Sequence, residues 1–353
     1  MPVSAPDETR AGTPTRLRRS SAVVGVPLVV VATVLAGLAL GRYSIAPDTV
    51  VRILAATVLP ITPDWSAAQA AAVLDVRLPR VLLGLLVGAG LALSGAVLQA
   101  VFRNPIVNAQ IIGVSPGASF GGALAIVLGL GSGWLVGGAF VFGMAALLLV
   151  FVVSRAKEGA RTLTIVLAGV VVGAFFSALV SLVTYFADPY NDLQAIVFWL
   201  LGSLATATPE KVATVAVPVL AGSAVILALR WRVNVLSLGD DDAAALGVKP
   251  GPLRWALLTA VGAMVAGAVA VSGVIGWVGL VVPHLTRLWV GPDHRILLPV
   301  TVALGGAYLT AVDTVTRTFA PGEIPIGVLT AVIGAPLFLL LLHRSRRRGW
   351  ADE

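Results

Sequence analysis

Long uninterrupted apolar runs, separated by short polar breaks, set the pattern of this chain. They cover Ala22–Leu40, Val81–Phe102, Ser115–Leu130, Trp134–Val153, Leu163–Phe186, Val212–Leu229, Trp255–Ser272, Val274–Val290, Ile296–Val312 and Ile324–Leu342. Neither the alternation of a half-buried strand nor a one-sided helical stripe accounts for them. A helix needs about 20 apolar residues to cross ~30 Å of hydrocarbon, so the runs predict about ten membrane-spanning helices, several of them short or broken by glycine. A further apolar stretch, Ala195–Leu204, is too short to cross and is expected at the outer surface. The fold class expected is an all-α integral membrane protein. Residues 1–21 read as a disordered cytoplasmic tail, 22–342 as the ten-span domain with a cytoplasmic loop at 231–254, and 343–353 as a basic cytoplasmic tail.

Composition agrees with that pattern. Apolar residues make up 58% of the chain and charged residues only 12%, about half the share in a soluble domain. The 38 glycines suit helices packed closely in lipid. A net charge of +7 would be compatible with nucleic acid, but no basic run carries the interleaved aromatics of such a surface. The positive charge instead orients the chain. With both termini inside, only Arg42, Arg52, Arg77, Arg80, Lys211 and Arg317 of the 24 lysines and arginines fall outside. An eleventh span at Ala195–Leu204 would turn the basic C-terminal segment outward, which the charge rule disfavours. Trp134, Trp231, Trp255, Trp277 and Trp289 lie near run ends, as interfacial aromatics do. Arg16, Arg18 and Arg19 precede the first run like the basic start of a signal peptide, but that run is long enough for an uncleaved span. Cysteine is absent and His284, His294 and His343 are scattered, so no metal site is expected.

The chemistry of the spans narrows the class. Their centres are nearly free of ionisable groups, which argues against an ion-coupled transporter. Asp313 and Arg317, four residues apart, form a local ion pair on one helix face. No nucleophile and base are paired as an enzyme would need. The chain lacks a Gly-x-x-x-x-Gly-Lys-Ser/Thr loop and cannot cradle ATP itself. The loop between Arg230 and Arg254 contains Ser237-Leu238-Gly239-Asp240-Asp241-Asp242 followed by Ala243-Ala244-Ala245-Leu246-Gly247-Val248. Three aspartates favour a helix start there and Gly247 a stop, giving one short helix. It is either a lever to a soluble partner or an ordinary solvated connection. Gly169, Gly173 and Ser177 recur every four residues, as pore-lining positions or as a close packing face. Ser94-Gly95-Ala96-Val97 is echoed by Ser272-Gly273-Val274-Ile275, a weak hint of an inverted repeat.

From Arg77 to Leu342 the chain resembles the FecCD-type permeases of ABC importers for iron–siderophores, haem and cobalamin. The blocks that carry the resemblance, in order, begin with Arg77-Leu78-Pro79-Arg80 and Ser94-Gly95-Ala96-Val97-Leu98-Gln99. Asn104-Pro105 and Gly113-Val114-Ser115-Pro116-Gly117-Ala118 follow, and then the block from Leu238-Gly239 to Leu246-Gly247-Val248. Gly276-Trp277-Val278-Gly279-Leu280-Val281-Val282-Pro283-His284, Gly291-Pro292-Asp293-His294-Arg295, Glu323-Ile324-Pro325-Ile326-Gly327-Val328 and Gly334-Ala335-Pro336 complete it.

The resemblance implies a permease in the bacterial cytoplasmic membrane that makes and breaks no bond. It would pair with a second permease subunit, identical or paralogous. It would also engage two cytoplasmic ATPase subunits, which use ATP and magnesium, and an extracytoplasmic substrate-binding protein. Leu238, Gly239, Asp240, Asp241, Ala244, Leu246 and Gly247 would form the element seated in the ATPase. Arg77, Arg80 and Arg317 would receive carboxylates of the binding protein, for which planar guanidinium is suited. Thr162 and Leu163 match the gate position, although their identities differ from the Thr/Ser pair of the cobalamin member. The pathway would run along Gly169, Gly173 and Ser177. An iron–siderophore complex is the expected cargo by family frequency, with haem and cobalamin behind it. Asn108-Ala109 and Pro116 depart from the family's usual residues at a helix break.

Overall fold

The computed structural model describes residues 16–155, 162–319 and 324–349. Among the described residues there is no strand, and every predicted apolar run is helical. In chain order the helices are α1 (Arg16–Ala39), α2 (Pro47–Ala56), α3 (Ala67–Ala71), a π turn (Ala72–Arg77), α4 (Leu78–Val101), α5 (Val114–Val127), α6 (Ser132–Arg155) and α7 (Thr162–Phe186). They continue with α8 (Asp192–Leu200), α9 (Pro209–Ala228), α10 (Arg230–Leu236), α11 (Asp240–Ala245), α12 (Pro250–Ser272), α13 (Val278–Val290), α14 (His294–Phe319) and α15 (Ile326–Gly349).

Six of these units are long and apolar enough to cross a membrane: Ala67–Val101, Ser132–Ser154, Thr162–Phe186, Pro209–Ala228, Pro250–Ser272 and His294–Phe319. Four shorter apolar helices accompany them: Val24–Ala39, Val114–Val127, Val278–Val290 and Ile326–Leu340. Two boundaries differ from expectation. The first helix begins at Arg16, because the basic residues before the apolar run continue its turns instead of belonging to a tail. At the other end, α15 extends to Gly349 and takes in most of the segment read as a basic tail. Residues 1–15 of the expected N-terminal tail, residues 350–353 and Glu323 lie outside the described residues.

Helices α4 and α12 form the hub. The most apolar window of each is 78% buried, against 22–33% for α6 and α9, which pack on the hub, and for α7, which packs outside it on α5 and α6. Glycine permits the approach. A Cβ on Gly95 of α4 would lie 1.9 Å from the Gly279 carbonyl oxygen of α13, and one on Gly88 would lie 2.2 Å from that of Gly305 in α14. No other residue lets the backbones come this close.

The short helix α8 packs on α5, with Ile196 fully buried beside Ala123 and Ala187. Trp199 is wedged against Gly122 of α5, and its carbonyl against Gly273 at the end of α12. The turn behind it is tied down by Ser203 N–H donating to the Ser272 carbonyl, and by Ile326 and Gly327 N–H donating to the Gly202 and Leu201 carbonyls.

Candidate functional site

An open cavity of about 570 Å³ lies between α5, α7, the end of α8 and the turn after α12. Its walls include Asn108, Gln110, Ser115, Ser119, Gly169, Gly173, Ser177, Leu200 and Val274. The three positions singled out on α7 thus face one space. They are not equivalent. A Cβ on Gly169 would sit 2.1 Å from the Ile111 carbonyl, whereas one on Gly173 would meet nothing closer than 3.7 Å. Gly169 is small because the turn before α5 packs on it, and Gly173 is small where the cavity is. One glycine of the stripe is close-packed and the other borders the cavity.

The cavity exists because α5 is short. Fourteen residues rise only about 21 Å. Residues 102–113, which join α4 to α5, carry no regular helix and climb from Arg103 to Gln110 along the bundle. Gly113, with φ of 75°, turns the chain into α5 in a conformation that glycine adopts without a Cβ clash. All the lining side chains that are polar are uncharged.

At the loop end, the short helix expected from the aspartates is α11. Gly239 precedes it with φ of 140°, and Gly247 follows with φ of 77°. Leu238 and Leu246 flank it with 59% and 57% exposure, and Asp241 and Ala244 are also exposed. Asp240 is held differently: its carboxylate accepts a 2.6 Å bond from Arg254 of α12, a guanidinium only 2% exposed. This strut ties α11 to the hub. Thr162 and Leu163, at the start of α7, share a cavity of about 370 Å³ with Arg103 and residues Leu238 to Asp242. The expected gate position and the expected coupling element are therefore neighbours.

The arginines expected to receive a docking protein lie elsewhere than on the surface. Arg77, Arg80 and Arg317 are 5%, 6% and 8% exposed. Arg77 donates to the carbonyls of Leu38 (2.7 Å), Ala39 (2.9 Å) and Tyr43, capping the end of α1. Arg80 binds both oxygens of Asp313 at 2.9 Å. Arg317 donates to the Gly37 carbonyl and lies 3.6 Å from Asp313. As this structure stands, their guanidinium groups join α1, α4 and α14 to one another instead of facing a partner. Burial decides the point: a guanidinium that saturates helix-end carbonyls and a buried carboxylate has few donors left. The i, i+4 pair read between Asp313 and Arg317 is present, but Arg80 is the closer partner.

Several residues of the site escaped the sequence reading. Ser115 and Ser119 are one helical turn apart and both line the cavity. Their spacing inside an otherwise apolar run was the available signal. Arg254 carries no pattern in sequence, because its partner is fourteen residues away across a turn. Among the described residues no group of histidines and acids could hold a metal ion.

A model of the FecCD transport family matches residues 28–344. The chain belongs to that family. As a FecCD protein it is an ABC importer permease and a multi-pass inner-membrane protein. It is 47% identical over 327 residues to the molybdate import system permease protein MolB of Haemophilus influenzae, covering 92% of this chain and 96% of that one. It is 37% identical over 332 residues to the vitamin B12 import system permease protein BtuC of Klebsiella pneumoniae, covering 92% and 94%. Other FecCD relatives carry names that refer to iron chelatin and hemin. A solved structure described as the inward-facing conformation of a transporter assigned to the metal-chelate type of ABC transporter superposes with a TM-score of 0.83. The two are 45% identical, over 92% of this chain and 99% of that chain.

Proposed function

We propose that this FecCD permease crosses the membrane about ten times with both termini in the cytoplasm, and moves a metal-containing anion inward. Cytoplasmic ATPase subunits would drive it, seated on α11 and its flanking Leu238 and Leu246. The observation that carries the reading is the adjacency of the exposed, glycine-bracketed α11 to the start of α7, the helix that also walls the uncharged cavity. A push on the loop end has a short path to the cavity wall.

A second permease copy would close the open side of the cavity, where α7 exposes Val170, Val171 and Phe175. An extracytoplasmic binding protein would dock over the end of α1 and α2, on a platform that Arg77, Arg80 and Arg317 hold rigid from beneath. For the cargo, two readings stand. The high identity with a molybdate permease favours a molybdate-like oxyanion. The metal-chelate description of the solved relative favours an iron–siderophore complex, the cargo expected from sequence.

The test is reconstitution in proteoliposomes with its cognate ATPase and binding protein. ATP-dependent accumulation of molybdate or ferric chelate is expected only with all components. Accumulation against a gradient by the permease alone would overturn the proposal. Titration of the binding protein with each candidate decides the cargo.

A further inference from the structure

Helix α5 begins part-way along the bundle. Gly113, just before it, packs on Gly169 and Gly173, which lie roughly 10–17 Å along α7 from its start at Thr162. No side chain caps this helix start. Gly117 N–H donates to the Gly113 carbonyl, so the N–H groups of Val114 and Ser115, with the positive dipole end, are those left without a capping side chain at the cavity wall. Pro116, in that turn, contributes no N–H.

A second observation points the same way. Ser115 and Ser119 are 6% and 7% exposed, both line the cavity, and neither hydroxyl has a hydrogen-bond partner among the described residues. Several serines in other helices are satisfied within their own helix, although Ser94 of α4 is buried without a partner. Ser154, Ser181 and Ser272 each donate back to a carbonyl one turn earlier. Buried hydroxyls normally find a partner. Two left open on one face, at the positive end of a helix, are donors without an acceptor.

The opposing helix ends do not cancel this polarity. Around the ends of α8 and α12, the carbonyls of Val197, Trp199, Leu201, Gly202, Val269 and Ser272 are all taken by N–H groups. No carboxylate lines the cavity.

We propose that the first turn of α5, with the Ser115 and Ser119 hydroxyls, is a transient binding site for the anionic oxygens of the cargo. The inference rests on the transport reading above and deepens it. Uncharged donors stabilise an oxyanion without the strong hold of a buried arginine, and a site in a pathway must also release. Both candidate cargoes share the chemistry, since molybdate and ferric siderophores each present negatively charged oxygen.

The experiment uses the complete reconstituted complex and two probes in parallel, radiolabelled molybdate and a ferric tris-catecholate. The variants are Ser119→Asp, the Ser115→Ala/Ser119→Ala pair and the Ser115→Thr/Ser119→Thr pair. We expect the alanine pair to lower uptake about a hundredfold, the loss expected for two donors to a charged group, and Ser119→Asp to lower it at least as much. The threonine pair, which keeps both hydroxyls, should restore most of the uptake, and all variants should melt within a few degrees of the parent. Loss with both probes supports a site for anionic oxygen in general, and loss with one names the cargo. Uptake by Ser119→Asp equal to the parent would overturn the site while leaving the permease reading intact. Failure of the parent complex to import either probe would overturn both.

Discussion

The arginine cluster joining α1, α4 and α14 and the cavity between α5 and α7 are both polar features inside an apolar bundle, and they are built in opposite ways. In the cluster, Arg77, Arg80 and Arg317 spend their donors on helix-end carbonyls and on Asp313. In the cavity, Ser115 and Ser119 make no hydrogen bond to the described residues and border the open space. Saturated polar groups in lipid hold a fold together.

The sharpest way to break this contrast is to unbalance the cluster. Asp313→Ala would leave two buried guanidinium groups without their carboxylate, and should cost about 3–5 kcal/mol. Unfolding in detergent measures it, and an unchanged transition would remove the cluster from any structural role. A smaller effect separates the two glycines of α7. Gly169→Ala forces a Cβ to within 2.1 Å of the Ile111 carbonyl and should destabilise by about 1–3 kcal/mol. Gly173→Leu places its Cβ in ordinary contact with Gly113, Pro116 and Gln110 at the cavity wall, so stability should shift by less than about 1 kcal/mol while uptake falls. If both lost stability equally, the stripe would be packing alone. The smallest structural effect belongs to the loop end. Leu238→Ala with Leu246→Ala should leave stability within about 0.5 kcal/mol, because both side chains are exposed. ATPase stimulation by the binding protein should nevertheless be lost, and its survival would place the coupling surface elsewhere.

Much of this was legible in the chain, for reasons that differ by element. The apolar runs became helices because lipid leaves backbone groups no other way to be satisfied. The loop helix was readable because Gly239, three aspartates and Gly247 are local signals, and local signals fix local structure. Long-range pairing was not readable. Arg80 and Asp313 are 233 residues apart, and nothing near either residue announces the other. Counting charges by side placed Arg77, Arg80 and Arg317 at the outer end and the family resemblance gave them a docking role, but neither says whether a side chain points out. The echo between Ser94-Gly95 and Ser272-Gly273 likewise hides two different tasks. Gly95 lies inside α4 under a neighbouring carbonyl, while Gly273 ends α12 with φ of 68°.

Hydrocarbon about 30 Å thick and a helix rising about 21 Å leave a shortfall of some 9 Å. That missing turn and a half of α5 is the void itself. The width of this cavity thus depends on where one helix starts, and residues inserted ahead of Gly113 that extend α5 would narrow it from the side of Asn108 and Gln110.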